Sequence, residues 1–171
     1  MIRKVLASAL LAVLALSISA FAAGPFLKVS KGDTAAVSVD LSALEEISGK
    51  AYYRNSKGVL SGPFSIKGVR LSDVMKAAGG MNEAEKLVVT SSDGYVTELT
   101  FDQVMGRMEI TRADGSAETA KVEVITVIIT WSEPAMEKDL PRLSFITKEG
   151  HVTESRYWAR NVSELKVTAA K

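Results

Sequence analysis

Alternating and continuous hydrophobic runs along the chain predict many short strands and few helices. Residues 35–41 and 95–100 alternate apolar and polar positions, which is typical of strands with one buried face. Residues 122–131 are largely apolar and β-branched, which predicts a central strand buried on both faces. Residues 71–78 carry apolar side chains at helical spacing, and Gly79 ends that helix. Roughly seven to nine strands, with two or three helices that do not alternate regularly with them, predict the α+β class.

The segment SSDGYVTELTFDQVM, residues 91–105, predicts a β-hairpin followed by a short helix. Asp93-Gly94 favours a tight turn with a positive φ at Gly94, between two strand-like runs. Thr100 is a candidate N-cap for the helix. A turn of this kind connects two strands, and it can also form the rim of a pocket.

The first 22 residues have the three parts of a cleavable secretory signal peptide. Two basic residues precede an almost wholly apolar run at 5–18, and Ala20 and Ala22 place small residues before the cleavage point. A membrane anchor is the alternative, but the apolar run is short for a bilayer span. The pattern predicts export to the periplasm, with no transmembrane segment after cleavage.

Cleavage after Ala22 divides the chain into a signal peptide at 1–22, an exposed lead-in at 23–34 and one folded domain at 35–171. The length of the last part suits a single hydrophobic core. Loss of two basic residues with the signal peptide leaves 19 Lys and Arg against 20 Asp and Glu. The mature chain therefore has no basic excess, and nucleic acid is not an expected partner.

The chain lacks cysteine and contains a single histidine, His151. Thiol nucleophiles, thiolate metal ligands and covalently attached haem are therefore excluded. A serine triad or a zinc site would have to use His151, and the sequence contains none of the motifs that accompany such sites. His151 follows Glu149-Gly150 in a turn-like stretch, which favours a plain loop residue. We expect no metal in this protein.

Four pieces of the sequence occur in an order typical of one family. Residues 64–80, FSIKGVRLSDVMKAAGG, give an extended approach, a Gly-Val-Arg-Leu signature and a helix. Residues 88–104, VVTSSDGYVTELTFDQV, give a strand, Asp-Gly-Tyr, a second strand and a short helix. LPRLSFITKEG at 140–150 is a Pro-Arg strand, and SRYWARNVSELKV at 155–167 leads an aromatic and basic segment into the last strand. Over about residues 36–168 the chain resembles the sulfite-oxidase-type family of molybdopterin-binding oxidoreductase domains.

The resemblance implies a mixed-sheet α+β domain with a cleft that holds a pterin. Catalytic members of the family bind molybdenum through a cysteine, and the corresponding position here falls near Ser56. A serine hydroxyl is a poor ligand for a metal that prefers thiolate, so the resemblance carries the fold and the pocket without the catalytic residue. Lys138-Asp139-Leu140 also stands where the family usually has glycine, which puts the family's backbone shape and ligand contacts before Pro141 in doubt.

A pterin site needs a stacking surface, a carboxylate for the amino-pyrimidine edge and cations for any phosphate tail. An extended SRYWAR segment would bring Arg156, Trp158 and Arg160 to one side, beside an anion, and a solvated edge strand is the alternative. Asp93 has a turn role as its alternative, and Tyr95 is expected to pack on the hairpin. Core packing is the alternative for both tryptophans. The candidate cofactor-binding residues are Tyr53, Arg54, Ser56, Asp93, Trp131, Arg142, Arg156 and Trp158.

These features predict a periplasmic, non-catalytic protein that binds a pterin or a molybdopterin-like ligand. The resemblance further implies an accessory or ligand-responsive partner of a membrane-bound signalling or redox protein. One alternative is a protein-interaction module without ligand, in which Trp131 and Trp158 fill the pocket. The other is a molybdopterin-dependent oxidoreductase with an unusual metal ligand, for which Ser56 is the candidate.

Overall fold

Strands make up most of the structure. The computed structural model describes residues 25–117, 121–132, 134 and 137–170 of the chain. In this part strands account for 53% of the residues and helices for 14%. The prediction of an α+β fold is therefore wrong, and the domain is mostly β. The signal peptide predicted at 1–22 lies outside the described residues.

Within the described part there are thirteen strands, two α-helices and three short 3-10 turns. The strands are β1 (Phe26–Lys31), β2 (Val37–Asp40), β3 (Glu46–Arg54), β4 (Leu60–Arg70), β5 (Glu85–Ser91), β6 (Val96–Thr100), β7 (Arg107–Met108), β8 (Thr111–Arg112), β9 (Val122–Glu123), β10 (Ile125–Ser132), β11 (Arg142–Ile146), β12 (His151–Glu154) and β13 (Val162–Ala169). The helices are α1 (Leu71–Ala77) and α2 (Phe101–Val104), and the 3-10 turns are Leu41–Ala43, Glu137–Asp139 and Ser155–Tyr157.

Four strands close into a small barrel. They are hydrogen-bonded in the order β11-β10-β4-β3, and β11 returns to β3 through the pairing of Ile146 with Ala51. Strand β10 was expected to be buried on both faces, and at its centre Val127, Ile128 and Ile129 are fully buried. β12 and β8 extend the barrel sheet beyond β3.

The α+β expectation failed because the strands are more numerous and longer than the pattern indicated. Residues 62–67, expected as a short extended piece, lie inside the eleven-residue β4. The helices have seven and four residues, which gives about 10 Å and 6 Å of helix, too short to cover a sheet face. They end strands and reverse the chain, so the layers that bury the core are sheets.

The second sheet has the order β2-β1-β13-β5-β6 and contains the N-terminal strand. β1 runs parallel to β13, and the other neighbours in this sheet are antiparallel. Leu27 and Val29 of β1 are buried in the hydrophobic core. The described residues of the stretch 23–34 therefore include a core strand, where the sequence predicted an exposed lead-in.

The hairpin predicted around Asp93-Gly94 is confirmed. β5 and β6 are antiparallel, and Thr90 pairs with Val96 across the turn. Gly94 has a φ of +86°, in the region that favours glycine. Thr100 caps α2 as expected, because its hydroxyl accepts from the Gln103 N–H and the Gln103 side chain accepts from the Thr100 N–H.

Gly68, the glycine of the Gly-Val-Arg-Leu signature, lies where β4 crosses close to β10. A Cβ at this position would collide with the carbonyl oxygen of Ile128. The barrel therefore requires a residue without a side chain here, because two backbones approach each other at this point. A packing requirement of the barrel accounts for this part of the signature.

The two sheets are joined near one end by the segment at residues 155–161. It connects β12 of the barrel sheet to β13 of the second sheet. The backbone N–H of Leu143 donates to the Ala159 carbonyl, and that of Val162 donates to the Pro141 carbonyl, which fixes the segment to the start of β11.

No helix in the described residues is long and apolar enough to cross a membrane.

Candidate functional site

A cleft of about 360 Å³ lies where this connecting segment meets the end of β3, the start of β11 and the β5–β6 turn. Backbone hydrogen bonds tie these elements together, among them Ser92 N–H to the Asn161 carbonyl at 2.9 Å. The cleft brings together side chains from four separate parts of the chain. Its lining residues are Tyr53, Ser91, Asp93, Tyr95, Arg142, Ser155, Arg156, Trp158 and Arg160.

Arg142 is the buried cation of the cleft, with 3% of its surface exposed. Its Nη1 donates to Asp139 Oδ2 at 3.1 Å, while its buried Nε has no hydrogen-bond partner among the described residues. Burial lowers the pKa of the Arg142 guanidinium, the charge of Arg160 adds to this effect, and Asp139 opposes it. A guanidinium stays charged at neutral pH, so the cleft contains a desolvated positive charge with an unused donor.

The ring of Trp158 packs against the Arg142 guanidinium. The Arg142 guanidinium lies 5.2 Å from the centroid of the Trp158 ring, at cation–π distance. The Tyr53 ring packs against the same indole at 4.8 Å, and Trp158 Nε1 donates to Thr153 Oγ1 at 2.8 Å. Only 3% of Trp158 is exposed. The indole is therefore a wall that holds Arg142, with little free face for stacking a ligand.

The outer rim is formed by the β5–β6 turn. Asp93 Oδ1 accepts from the Tyr95 N–H at 3.0 Å, which is the turn role considered for Asp93. The Tyr95 ring is exposed, and its hydroxyl donates to the Arg156 carbonyl at 2.7 Å. Tyr95 was expected to pack on the hairpin, and instead it bridges the turn to the connecting segment and lines the cleft.

Ser91 is a cleft residue that the sequence did not indicate. It ends β5, and its side chain is 3% exposed. Its buried Oγ has no hydrogen-bond partner among the described residues. Ser155 also lines the cleft without having been predicted. The available signal for Ser91 was its place two residues before Asp93, at the base of the predicted turn.

The SRYWAR segment does not adopt the extended backbone that the sequence suggested. Ser155–Tyr157 form a 3-10 turn, and as a result Arg156 and Trp158 lie in different environments. The Arg156 guanidinium lies over the Tyr157 ring at 4.9 Å and is exposed, whereas Trp158 is buried. Arg160 is 58% exposed and faces Asp139 Oδ2 at 3.7 Å. The three residues still line one cleft, because the turn returns the chain to it.

Three of the predicted site residues are not among those that line the cleft. Arg54 follows Tyr53 on β3 and points to the other face, where it donates to the carbonyls of Gly58, Arg112 and Ala113. Ser56 is exposed in the turn between β3 and β4. Trp131 is 47% exposed on β10, with Lys67 Nζ at 5.6 Å from its ring. Tyr53, Asp93, Arg142, Arg156 and Trp158 are the predicted residues that the cleft brings together.

These positions bear on the two alternative functions. The ligand-free module called for both tryptophans inside the pocket, but Trp158 is in the wall and Trp131 is at the surface. The metal-dependent enzyme called for Ser56 at the cofactor, but Ser56 lies outside the cleft lining. Within the described ranges, no three His, Cys, Asp or Glu side chains are grouped closely enough to hold a metal ion.

Three other depressions are larger than the cleft, at about 460, 490 and 380 Å³, the last of them at the start of α2. The first lies beside α2 and is lined by residues such as Met105, Ile125 and Lys148, and the second lies against α1. None of the residues that line these three depressions has a buried side-chain atom left without a hydrogen bond. The arginine cleft is therefore the best candidate site, because its buried polar atoms lack partners.

Comparison with known proteins assigns the chain to no family. No protein-family model matches it, and no curated protein matches it. The resemblance to sulfite-oxidase-type domains therefore rests on the four sequence pieces and stays a prediction.

Proposed function

We propose that the cleft binds a pterin or a molybdopterin-like ligand and that the protein is a periplasmic binding protein without catalytic activity. One observation carries the proposal: Arg142 Nε and Ser91 Oγ are both buried, both lack partners and both belong to residues of the same cleft. Buried polar atoms in folded proteins are normally hydrogen-bonded. Two such atoms beside aromatic walls favour a site where the polar edge of a ligand completes the bonding.

The shape and chemistry of the cleft suit a small flat heterocycle. Its volume of about 360 Å³ is within the range of small-molecule sites. The exposed Tyr95 ring is a flat surface against which such a ring can stack, and the Arg142 guanidinium has a donor for the ring's polar edge. Asp93, at the rim, is a carboxylate that could accept hydrogen bonds from an amino-pyrimidine edge. The arginines suit an anionic tail.

The proposed role in the periplasm is that of an accessory or ligand-responsive protein. Its partner would be a membrane-bound signalling or redox protein that responds to the ligand-loaded form. This part of the proposal rests on the sequence resemblance, whereas ligand binding rests on the cleft.

The first experiment looks for the ligand itself. Mature protein from a periplasmic fraction is denatured, released pterin is measured by fluorescence and mass spectrometry, and molybdenum is measured in the same sample. We expect pterin without molybdenum. Stoichiometric molybdenum, lost in S56A, would replace the proposal with the enzyme alternative. Neither pterin nor molybdenum, in protein shown to be folded, would favour the interaction module.

A matched pair of arginine variants tests whether the cleft is the binding site. R142M removes the buried cation, and R107M removes a half-exposed arginine that pairs with Asp102 away from the cleft. Loss of a charge-assisted hydrogen bond costs about 1.5–3 kcal/mol, so we expect pterin affinity to fall about 10- to 100-fold in R142M. R107M should bind as the unmodified protein does. Equal binding by all three proteins would contradict the assignment of the cleft.

A further inference from the structure

Asp139 lies directly behind the arginines of the cleft. Its Oδ2 accepts from Arg142 Nη1 at 3.1 Å and faces Arg160 Nη1 at 3.7 Å, so one carboxylate oxygen serves two guanidinium groups. The Asp139 carbonyl also accepts from the Asn161 N–H at 2.9 Å. Asp139 is therefore attached by its side chain and by its backbone to the segment that carries Arg160.

The two arginines differ in how firmly they are held. Arg142 is buried and stacked on Trp158, so its position is determined by packing. Arg160 is mostly exposed, and its contact with Asp139 is longer than an ordinary hydrogen bond. An anion that enters the cleft can therefore attract Arg160 away from Asp139, while Arg142 stays in place with its free Nε.

The carboxylate also decides the charge that a ligand meets. Arg142, Arg156 and Arg160 line the cleft, and Asp93 is the acidic residue among the lining side chains. Asp139 adds a second negative charge within contact of two of the arginines. Three cations against two carboxylates leave one net positive charge. One singly charged anionic group balances it, and a doubly charged group would leave an excess of negative charge in a partly desolvated site.

We propose that Asp139 is a specificity-determining residue that makes the cleft select a flat heterocycle carrying one singly charged anionic group, such as a carboxylate, over the same heterocycle with a doubly charged phosphate ester. The proposal rests on the proposed function and narrows it to a pterin without a phosphate ester, which excludes molybdopterin because its side chain ends in one. Asp139 acts through Arg142 and Arg160, and does not itself contact the ligand.

The test compares three pterins in fluorescence titrations at neutral pH. Pterin-6-carboxylate has a singly charged tail, 6-hydroxymethylpterin an uncharged one, and neopterin monophosphate a predominantly doubly charged one. In the unmodified protein we expect the carboxylate to bind about 10-fold more tightly than the uncharged pterin, the effect of one added charge-assisted bond. We also expect it to bind more tightly than the phosphate ester. Equal affinity for the carboxylate and the phosphate ester would overturn the inference, while the proposed function would stand.

The variant D139N removes the negative charge and keeps the size and the accepting oxygen. We expect it to shift the preference toward the phosphate ester by about 10-fold, because the cleft then carries two net positive charges. D102N is the matched control, since Asp102 likewise bridges two cations, Arg107 and Lys121, outside the cleft. An unchanged preference in D139N, equal to that of D102N, would overturn the role of Asp139.

A second variant keeps the test valid if D139N does not fold. R160Q changes a mostly exposed side chain and lowers the net charge of the cleft to zero. We expect it to weaken pterin-6-carboxylate about 10-fold and to leave 6-hydroxymethylpterin unchanged, with R107Q as the control. Equal weakening of both pterins would overturn the inference. If folded unmodified protein bound none of the three pterins, the proposed function would fail, and the inference with it.

Discussion

The two tryptophans of the chain each lie beneath a cation, in regions of opposite character. Trp158 is buried in the cleft wall, and Arg142 above it is buried as well. Trp131 is half exposed on the outside of the barrel, beneath the exposed side chain of Lys67. Water can solvate the ammonium of Lys67, whereas the Nε of Arg142 is buried and has no hydrogen-bond partner among the described residues. An aromatic–cation pair therefore indicates a binding site only where both the ring and the cation are buried.

The same contrast holds for the two carboxylates that bridge a pair of cations. Asp102 lies between Arg107 and Lys121, and both of those side chains are half exposed. Asp139 lies between exposed Arg160 and buried Arg142. Salt and water screen the first group, while the second acts on a guanidinium in a low-dielectric wall. Similar contacts thus have different consequences, and the difference between them is the burial of the Arg142 guanidinium.

The largest expected difference between the two regions is in stability. W158A removes a buried ring, exposes Arg142 and leaves a cavity, which should lower the free energy of unfolding by about 3–5 kcal/mol. W131A removes a half-exposed ring and one exposed cation–π contact, which should cost about 0.5–1 kcal/mol. Urea unfolding of both variants measures the two losses. Equal losses would remove the distinction on which the site assignment depends.

A buried hydrogen bond gives the next largest effect. Thr153 Oγ1 accepts from Trp158 Nε1 and donates to the Tyr52 carbonyl at 3.2 Å. T153V keeps the shape but leaves both groups without this partner, so we expect a loss of about 1–3 kcal/mol in urea unfolding. The control is T34V, because Thr34 makes its bonds to Lys31 at the surface, where water replaces them. A loss in T34V as large as in T153V would show that burial does not set the cost.

Local turn chemistry was the part of the fold that the sequence predicted well. Gly94 and Thr100 have the conformations expected from their residue types, because such positions depend on a few neighbouring atoms. The barrel was not predictable in the same way. Its closure depends on Ile146 pairing with Ala51, ninety-five positions away, and no periodicity in either segment indicates that pairing.

The candidate site shows the same division between local and non-local information. Residue type indicated Asp93, Arg142 and Trp158, since stacking and anion binding use few kinds of side chain. Ser91 was missed, because a serine at the end of a strand is common and only its burial without a partner marks it. Arg54 lies outside the cleft because adjacent residues of a strand point to opposite faces, and Tyr53 occupies the cleft face.

The smallest expected effect concerns the partly exposed carboxylate of Asp102. The hydrogen bond from Lys121, followed by the charges of Arg107 and Lys121, lowers the pKa of Asp102 below its ordinary value of 3.8. A lowered folded-state pKa means that the ionised carboxylate contributes stability above pH 3.8, and that the contribution is lost as the pH falls through the lower folded-state value. D102N should therefore have a slightly lower urea midpoint than the unmodified protein at pH 6. The two midpoints should converge as the pH falls through the folded-state pKa of Asp102. Because Asp102 is partly exposed and its two cationic partners are half exposed, added salt should also reduce the gap at pH 6. A gap that persisted in acid or in high salt would mean that Asp102 contributes through packing, and the contrast with Asp139, which contacts buried Arg142, would then be one of geometry instead of solvent screening.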